Sequence, residues 1–195
     1  MSARILVLPG STRLGSHNRR LALEAARLLA LGNATVTMVD LADYPMPIYD
    51  GDLEERSGPP EMAVKLAERI AAQDGMLLVS PEYNASVPPL LKNALDWVSR
   101  VRKVEGRPLQ PFRRLVVALA SASPGRLGGL RGLMALRPIC QSVGAEVLTT
   151  QLAVHEAATA FDENGRLQDE RQRLALEALL EQLTDYAQAL GRNQS

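Results

Sequence analysis

Short apolar runs alternate with helical segments along nearly the whole chain, and this alternation limits the possible folds more than any other feature. Residues 5–8 (Ile-Leu-Val-Leu) end at Pro9-Gly10, as a buried strand would. A helix is expected from near Asn18, with Leu21, Ala25, Leu28 and Leu29 at helical spacing and Gly32-Asn33 to stop it. Residues 34–39 read as a second strand. A polar loop over 43–59 leads to a helix starting at Pro60, with Met62, Leu66 and Ile70 on one face. Residues 76–79 form a third strand ending in Ser80-Pro81. Pro88 and Pro89 open a third helix that carries Leu91, Leu95 and Val98 and stops by Gly106. A fourth strand over 115–120, a Gly-rich loop over 121–129, a helix to about Val143 and a fifth strand over 145–149 follow. The last helix runs from about Asp169 to Leu190 and is closed by Gly191.

Five strands alternating with five helices predict an α/β protein, a three-layer α/β/α sandwich around a parallel sheet with right-handed crossovers. The first, third and fourth strands are continuously apolar and belong inside the sheet. The second and fifth carry Thr35, Thr37 and Glu146 and suit its edges. The implied order is 2-1-3-4-5, the flavodoxin-like arrangement, whose ligand site lies at the switch between strands one and three. No repeat or linker divides residues 1–195, which read as a single domain.

Composition narrows the function. The 22 basic residues balance 22 acidic ones, which gives no footprint for nucleic acid. The one cysteine, Cys140, excludes an internal disulfide and a Cys-rich zinc site. The start has no signal-type apolar run, and no stretch nears the roughly 20 apolar residues of a membrane span. The expectation is a cytoplasmic protein without a membrane partner.

The loop Gly10-Ser11-Thr12-Arg13-Leu14-Gly15-Ser16-His17-Asn18 leaves the first strand and enters the first helix. Helix N-termini present unpaired N–H groups and partial positive charge. Ser11, Thr12, Ser16 and Asn18 add short donors, Arg13 adds a guanidinium fork, and two glycines let the backbone approach. Ser16 and His17 stand where a nucleoside-triphosphate loop needs Lys and Ser/Thr, and the pattern G-x-G-x-x-G is absent. A monophosphate fits best; an ordinary capped helix is the plainer reading. His17 is suited either to the phosphate or to the surface.

After the third strand, Ser80-Pro81-Glu82-Tyr83-Asn84-Ala85-Ser86-Val87-Pro88-Pro89 is stiffened by its prolines. Free N–H groups near Tyr83 and Asn84 would suit the rim of a heterocycle. The fourth loop, with Ser121, Ala122 and Ser123, would approach the same ring. Together the loops describe a mononucleotide pocket.

The stretches Gly-Ser-x-Arg-x-x-Ser-x-Asn (10–18) and Pro-Glu-Tyr-Asn-x-Ser-x-Pro-x-x-Leu-Lys-Asn-Ala-x-Asp-Trp (81–97) resemble the NAD(P)H-dependent FMN reductases, which include quinone and chromate reductases of flavodoxin-like fold. The Gly-rich fourth loop and Phe161-Asp162-Glu163-Asn164-Gly165 extend the resemblance over most of the chain. It implies non-covalent FMN, with NADPH or NADH as donor. Ser11, Arg13, Ser16 and Asn18 would lie on the phosphate, and Pro81, Glu82, Tyr83 and Asn84 on the isoalloxazine, with Ser121 to Ser123 nearby. Ala122 departs from the hydroxyl residue of relatives and leaves only its backbone for a contact. The implied reaction is ping-pong: hydride from nicotinamide to flavin N5, then electrons to a small-molecule acceptor such as a quinone, free flavin or chromate, with no catalytic side chain. A homodimer or homotetramer is implied, with Trp97 and the apolar face over 130–139 as candidate contacts. A flavodoxin-type electron carrier or a non-catalytic nucleotide-binding module is the alternative; carriers are strongly acidic, and this chain is neutral.

Three further features read as structural. His155 has no metal-ligand partner at useful spacing. Cys140 suits a small buried hydrophobe. The basic residues Arg100, Arg102, Lys103, Arg113 and Arg114 read as a solvated face or, less simply, as a seat for the 2′-phosphate of NADPH.

Overall fold

The computed structural model describes residues 2–190 and 192. Its elements run β1 (Arg4–Pro9), α1 (His17–Leu31), β2 (Thr35–Met38), a 3-10 turn (Leu41–Asp43), α2 (Gly51–Ser57), α3 (Glu61–Ala71), β3 (Gly75–Val79), α4 (Pro89–Arg100), β4 (Lys103–Val104), β5 (Arg107–Pro108), β6 (Val116–Ala122), α5 (Leu130–Ser142), β7 (Glu146–Val154) and α6 (Glu170–Leu190). The parallel sheet has the order β2-β1-β3-β6-β7, which is the predicted flavodoxin-like 2-1-3-4-5 once the small β4-β5 hairpin is set apart.

Alternation along the inner strands builds two cores. Ile5 and Val7 of β1 face a cluster with Leu21, Ala25 and Leu29 of α1 and Leu176, Leu179 and Leu183 of α6. Leu6 and Leu8 face the other side, where Leu66 and Ile70 of α3, Leu91, Leu95 and Trp97 of α4, and Leu133 and Leu136 of α5 pack. Every residue of β3 and β6 is buried, because a parallel strand covered by helices on both faces has no wet side. The polar strands β2 and β7 lie at the edges.

Three elements differ from the expectation. Helix α2 stands inside the supposed loop over 43–59: Asp50 caps it, accepting from the amides of Asp52 (2.8 Å) and Leu53 (3.2 Å). It buries no residue, so no apolar period announced it. The third helix ends at Arg100, before the hairpin whose turn holds Glu105 (φ 49°) and Gly106 (φ 78°). Strand β7 continues to Val154, because pairing with the end of β6 carries it through Thr149, Thr150 and Gln151. The expected stop at Gly191 lies outside the described residues.

Trp97 belongs to the core. It is wholly buried, its Nε1 donates to the Pro47 carbonyl at 2.8 Å, and it meets Tyr49 edge-on at 5.0 Å between centroids. It is therefore closed to a subunit contact. Cys140 is also buried, and loss of solvation pushes its thiol up to about 12, so it behaves as a hydrophobe. Among the described residues no group of three or more His, Cys, Asp or Glu is placed to hold a metal, and no helix is long and apolar enough to cross a membrane.

Candidate functional site

Strand β1 delivers the first loop against the second. Gly10 donates its N–H to the Val79 carbonyl at 2.9 Å, and a Cβ there would stand 3.0 Å from Leu91 Cδ2 and 3.4 Å from Pro81 Cδ. A side chain there would crowd Leu91 of α4 and Pro81 of the second turn, and glycine avoids that. Between them is a crevice of about 220 Å3 walled by Ser11, Arg13, Ser16, His17, Asn18, Pro81, Glu82, Tyr83, Ala122, Ser123 and Pro124.

One end of the crevice gathers free donors and positive charge. Ser16 caps α1, its Oγ accepting from the Arg19 amide at 3.4 Å, and Ser11 Oγ accepts from the Arg13 amide at 3.3 Å. The amides of His17 and Asn18, first in the helix, have no intrahelical acceptor. No acidic residue occupies that first turn to satisfy its positive end. Three arginines stand nearby, and two are engaged. Arg19 is paired with Asp40, while Arg20 donates to the Asp162 carbonyl at 3.2 Å and stacks on Phe161. Arg13 alone of the three has no acceptor among the described residues. Burial, then repulsion by Arg13 and Arg20, holds the His17 imidazole below its ordinary value. Its Nδ1 is buried without a hydrogen-bond partner among the described residues.

The other walls are fixed from a distance. Asn18 is buried, and its amide spans to the backbone at the end of β6: Nδ2 donates to the Ala122 carbonyl at 2.9 Å, and Oδ1 accepts from the Ala122 N–H at 2.8 Å. Glu82 reaches across to α5, whose N-cap is Gly129 (φ 91°), with no side-chain cap of its own. Its carboxylate accepts from the Gly132 amide at 3.1 Å and from Arg131 Nε at 2.7 Å. Burial alone would push this carboxyl up. The hydrogen bonds from Arg131 and Gly132, with the Arg131 charge, outweigh it and hold the group below the usual carboxylate range. A depressed folded value contributes stability above the unfolded value near about 4.3, and that stability is lost as pH falls through the folded one. Glu82→Gln should therefore destabilise the protein by about 1–2 kcal/mol at pH 7. Urea denaturation of both proteins should show the gap closing below about pH 4.

The structure redistributes several expected roles. Ser11, Arg13, Ser16, His17, Asn18, Pro81, Glu82, Tyr83, Ala122 and Ser123 converge as expected. Thr12 is exposed and forms no wall. Ser121 is fully buried and gives its hydroxyl to the Gly128 carbonyl, so it ties the fourth loop and does not face the crevice. The Tyr83 amide is not free: Tyr83 and Ser86 exchange both backbone bonds at 3.0 Å. Asn84 (φ 51°) and Ala85 (φ 62°) turn the tip of that loop, which carries Asn84 away from the wall. The Ala122 N–H, expected to be available, is consumed by Asn18. Pro124 was missed as a wall, although the fourth loop that carries it was recognised, and so were Arg131 and Gly132. Those two anchor Glu82 across some fifty positions of sequence, and no local pattern signals such a bond.

Comparison with known proteins identifies the family. The sequence profile of the NADPH-dependent FMN reductases matches residues 3–159. An NAD(P)H-dependent FMN reductase of Pseudomonas aeruginosa is 33% identical over 189 residues, covering 96% of each chain. A quinone reductase of Escherichia coli is 36% identical over 145 residues, covering 74% of this chain and 73% of the relative. Among solved structures, the flavoenzyme NAD(P)H:(acceptor) oxidoreductase FerB of Paracoccus denitrificans superposes with a TM-score of 0.80 at 26% identity, covering 97% of this chain and 99% of its own. The chain belongs to the NADPH-dependent FMN reductase family, oxidoreductases that pair FMN with a reduced nicotinamide.

Proposed function

We propose that the crevice seats FMN and that a reduced nicotinamide and then an acceptor such as a quinone use it in turn. FMN when bound supplies the redox chemistry, taking a hydride from the nicotinamide and giving two electrons to the acceptor. The protein's part is to hold and to expose. Ser11, Arg13, Ser16 and the first-turn amides of α1 take the phosphate; Pro81, Glu82 and Tyr83 on one side and Ala122 to Pro124 on the other flank the ring. The observation that carries this reading is Arg13, a cation with no acceptor among the described residues, beside a helix start that lacks an acidic residue. A crevice of about 220 Å3 is smaller than the roughly 300 Å3 and upward of sites that enclose a ligand. A mononucleotide seated there leaves part of its ring uncovered, as two reactants alternating at one face require.

The purified protein should be yellow and should bleach under anaerobic NADPH, with the colour returning when a quinone is added. A colourless protein that takes up no added FMN overturns the proposal, and reduction without steady turnover on any free acceptor points to an electron carrier. Arg13→Ala should weaken FMN binding by about 1.5–3 kcal/mol, the loss of a charged hydrogen bond, read from quenching of FMN fluorescence. Unchanged affinity would remove Arg13 from the phosphate seat. Self-association is proposed beside the crevice, where Leu90, Leu127 and Met134 are exposed. The face over 130–139 contributes little else, because Leu133 and Leu136 turn into the core.

A further inference from the structure

A second, larger cavity lies far from the crevice. It has about 730 Å3 and lies where α4 and α5 end and β6 and β7 begin, at the opposite rim of the sheet. Strand β6, seven residues long, separates the two by about 20 Å. Of the basic residues read from the sequence as a solvated face, or as a seat for the 2′-phosphate of NADPH, all but Lys103 collect here and not beside the crevice. Arg100, Arg102, Arg113 and Arg114 line the cavity against one carboxylate, Glu146. Arg100 is steadied by Glu54 at 3.6 Å and lies over the Tyr49 ring, and Arg113 donates to Gln110 at 3.0 Å. Arg102 and Arg114 have no side-chain acceptor among the described residues.

Their backbones are nevertheless fixed. Arg102 follows the buried Val101, and its carbonyl accepts from the Leu109 amide at 2.8 Å, closing the foot of the β4-β5 hairpin. Arg114 holds a left-handed conformation (φ 60°) between Arg113 and the buried Leu115, its amide donating to the Gly144 carbonyl at 3.3 Å. Buried Phe112 contributes to the apolar part of the lining. A convex basic surface would spread such charges into solvent. Here they converge on a concavity within the roughly 300–1,000 Å3 typical of small-molecule sites. Guanidinium groups bond phosphate oxygens in pairs, and a second phosphate on the same chain would engage a second arginine.

We propose that this rim cavity binds a compact polyanion of the oligophosphate class, held chiefly by Arg102 and Arg114. The site is independent of the proposed flavin chemistry. The test is calorimetric titration of the FMN-loaded protein, freed of excess FMN by gel filtration, with inorganic tripolyphosphate and with ATP in separate runs without divalent cations. If the chain retains no FMN, the same titrations apply to it as purified. Saturable binding that weakens as salt is raised is expected. Binding of both probes assigns recognition to the phosphate chain, and binding of ATP alone adds a seat for the base; either supports the site. The double variant R102Q/R114G should lower affinity by at least about tenfold, with FMN content and NADPH oxidation unchanged. Glycine suits the left-handed position at 114, and the single variant R102Q, on an exposed side chain, gives a second reading should the double variant fold poorly. No saturable binding of either probe at millimolar concentration, or equal affinity in wild type and variants, overturns the proposal.

Discussion

Replacing Asn18 with leucine should cost about 3–5 kcal/mol of folding stability, although leucine matches asparagine in size and the site is buried. The side chain satisfies both the N–H and the C=O of Ala122, at 2.8 and 2.9 Å. Leucine leaves both groups buried and unpaired, and each orphan costs about 1–3 kcal/mol. The same change should loosen FMN binding, because the bond pair sets the distance between the phosphate loop and the Ala122–Pro124 wall. Asn18→Asp separates the two effects. It keeps an acceptor for the N–H, but it turns a negative oxygen toward the Ala122 carbonyl and adds charge beside an anion seat. The aspartate variant should therefore lose FMN affinity out of proportion to its stability. Urea denaturation and FMN titration on both variants test this; a leucine variant within about 1 kcal/mol of wild type would show that the bond pair is replaceable.

Gly128→Ala should be as damaging, by about 3–5 kcal/mol or a fall in Tm of roughly 10 °C. Gly128 has φ 59°, where a side chain is strained, and an added Cβ would lie 2.7 Å from the Ala153 carbonyl carbon and 2.9 Å from that of Val154. Both obstacles are backbone of β7, which cannot rotate away. Because the Gly128 carbonyl also accepts the Ser121 hydroxyl, displacement of this loop reaches the end of β6 and the crevice wall. Gly125 in the same loop is the control. A Cβ there meets nothing nearer than Ser123 Oγ at 3.9 Å, so Gly125→Ala should be close to neutral. Equal Tm values for the two variants would refute the steric account.

Much of the fold was legible because its signals are local or periodic. Continuous apolar runs marked β1, β3 and β6 as inner strands, and the polar residues of β2 and β7 marked the edges. Helix α2 and the β4-β5 hairpin escaped because neither buries a periodic face; each touches the core through one partly buried residue, Leu53 and Val104, beside its cap or turn. The crevice was legible as two loops rich in donors, yet the task of individual donors was not. Asn18, Ser121 and the Tyr83 amide all read as ligand contacts, and each is engaged with the protein's own backbone. A polar side chain has the same composition whether its acceptor is a phosphate or a carbonyl a hundred residues away.

The sequence by itself determined the order of the main strands and of the helices that cover them, the sheet's inner and outer strands, the loops that gather at its carboxyl rim and the family. These follow from spacing, polarity and short motifs that act within one element or between neighbours. Tertiary structure alone decided which donors remain free, how Glu82 closes α5, and that the basic residues converge on a cavity at the far rim. Those outcomes depend on distances between segments remote in the chain, and such distances are set only when both faces of the sheet are packed.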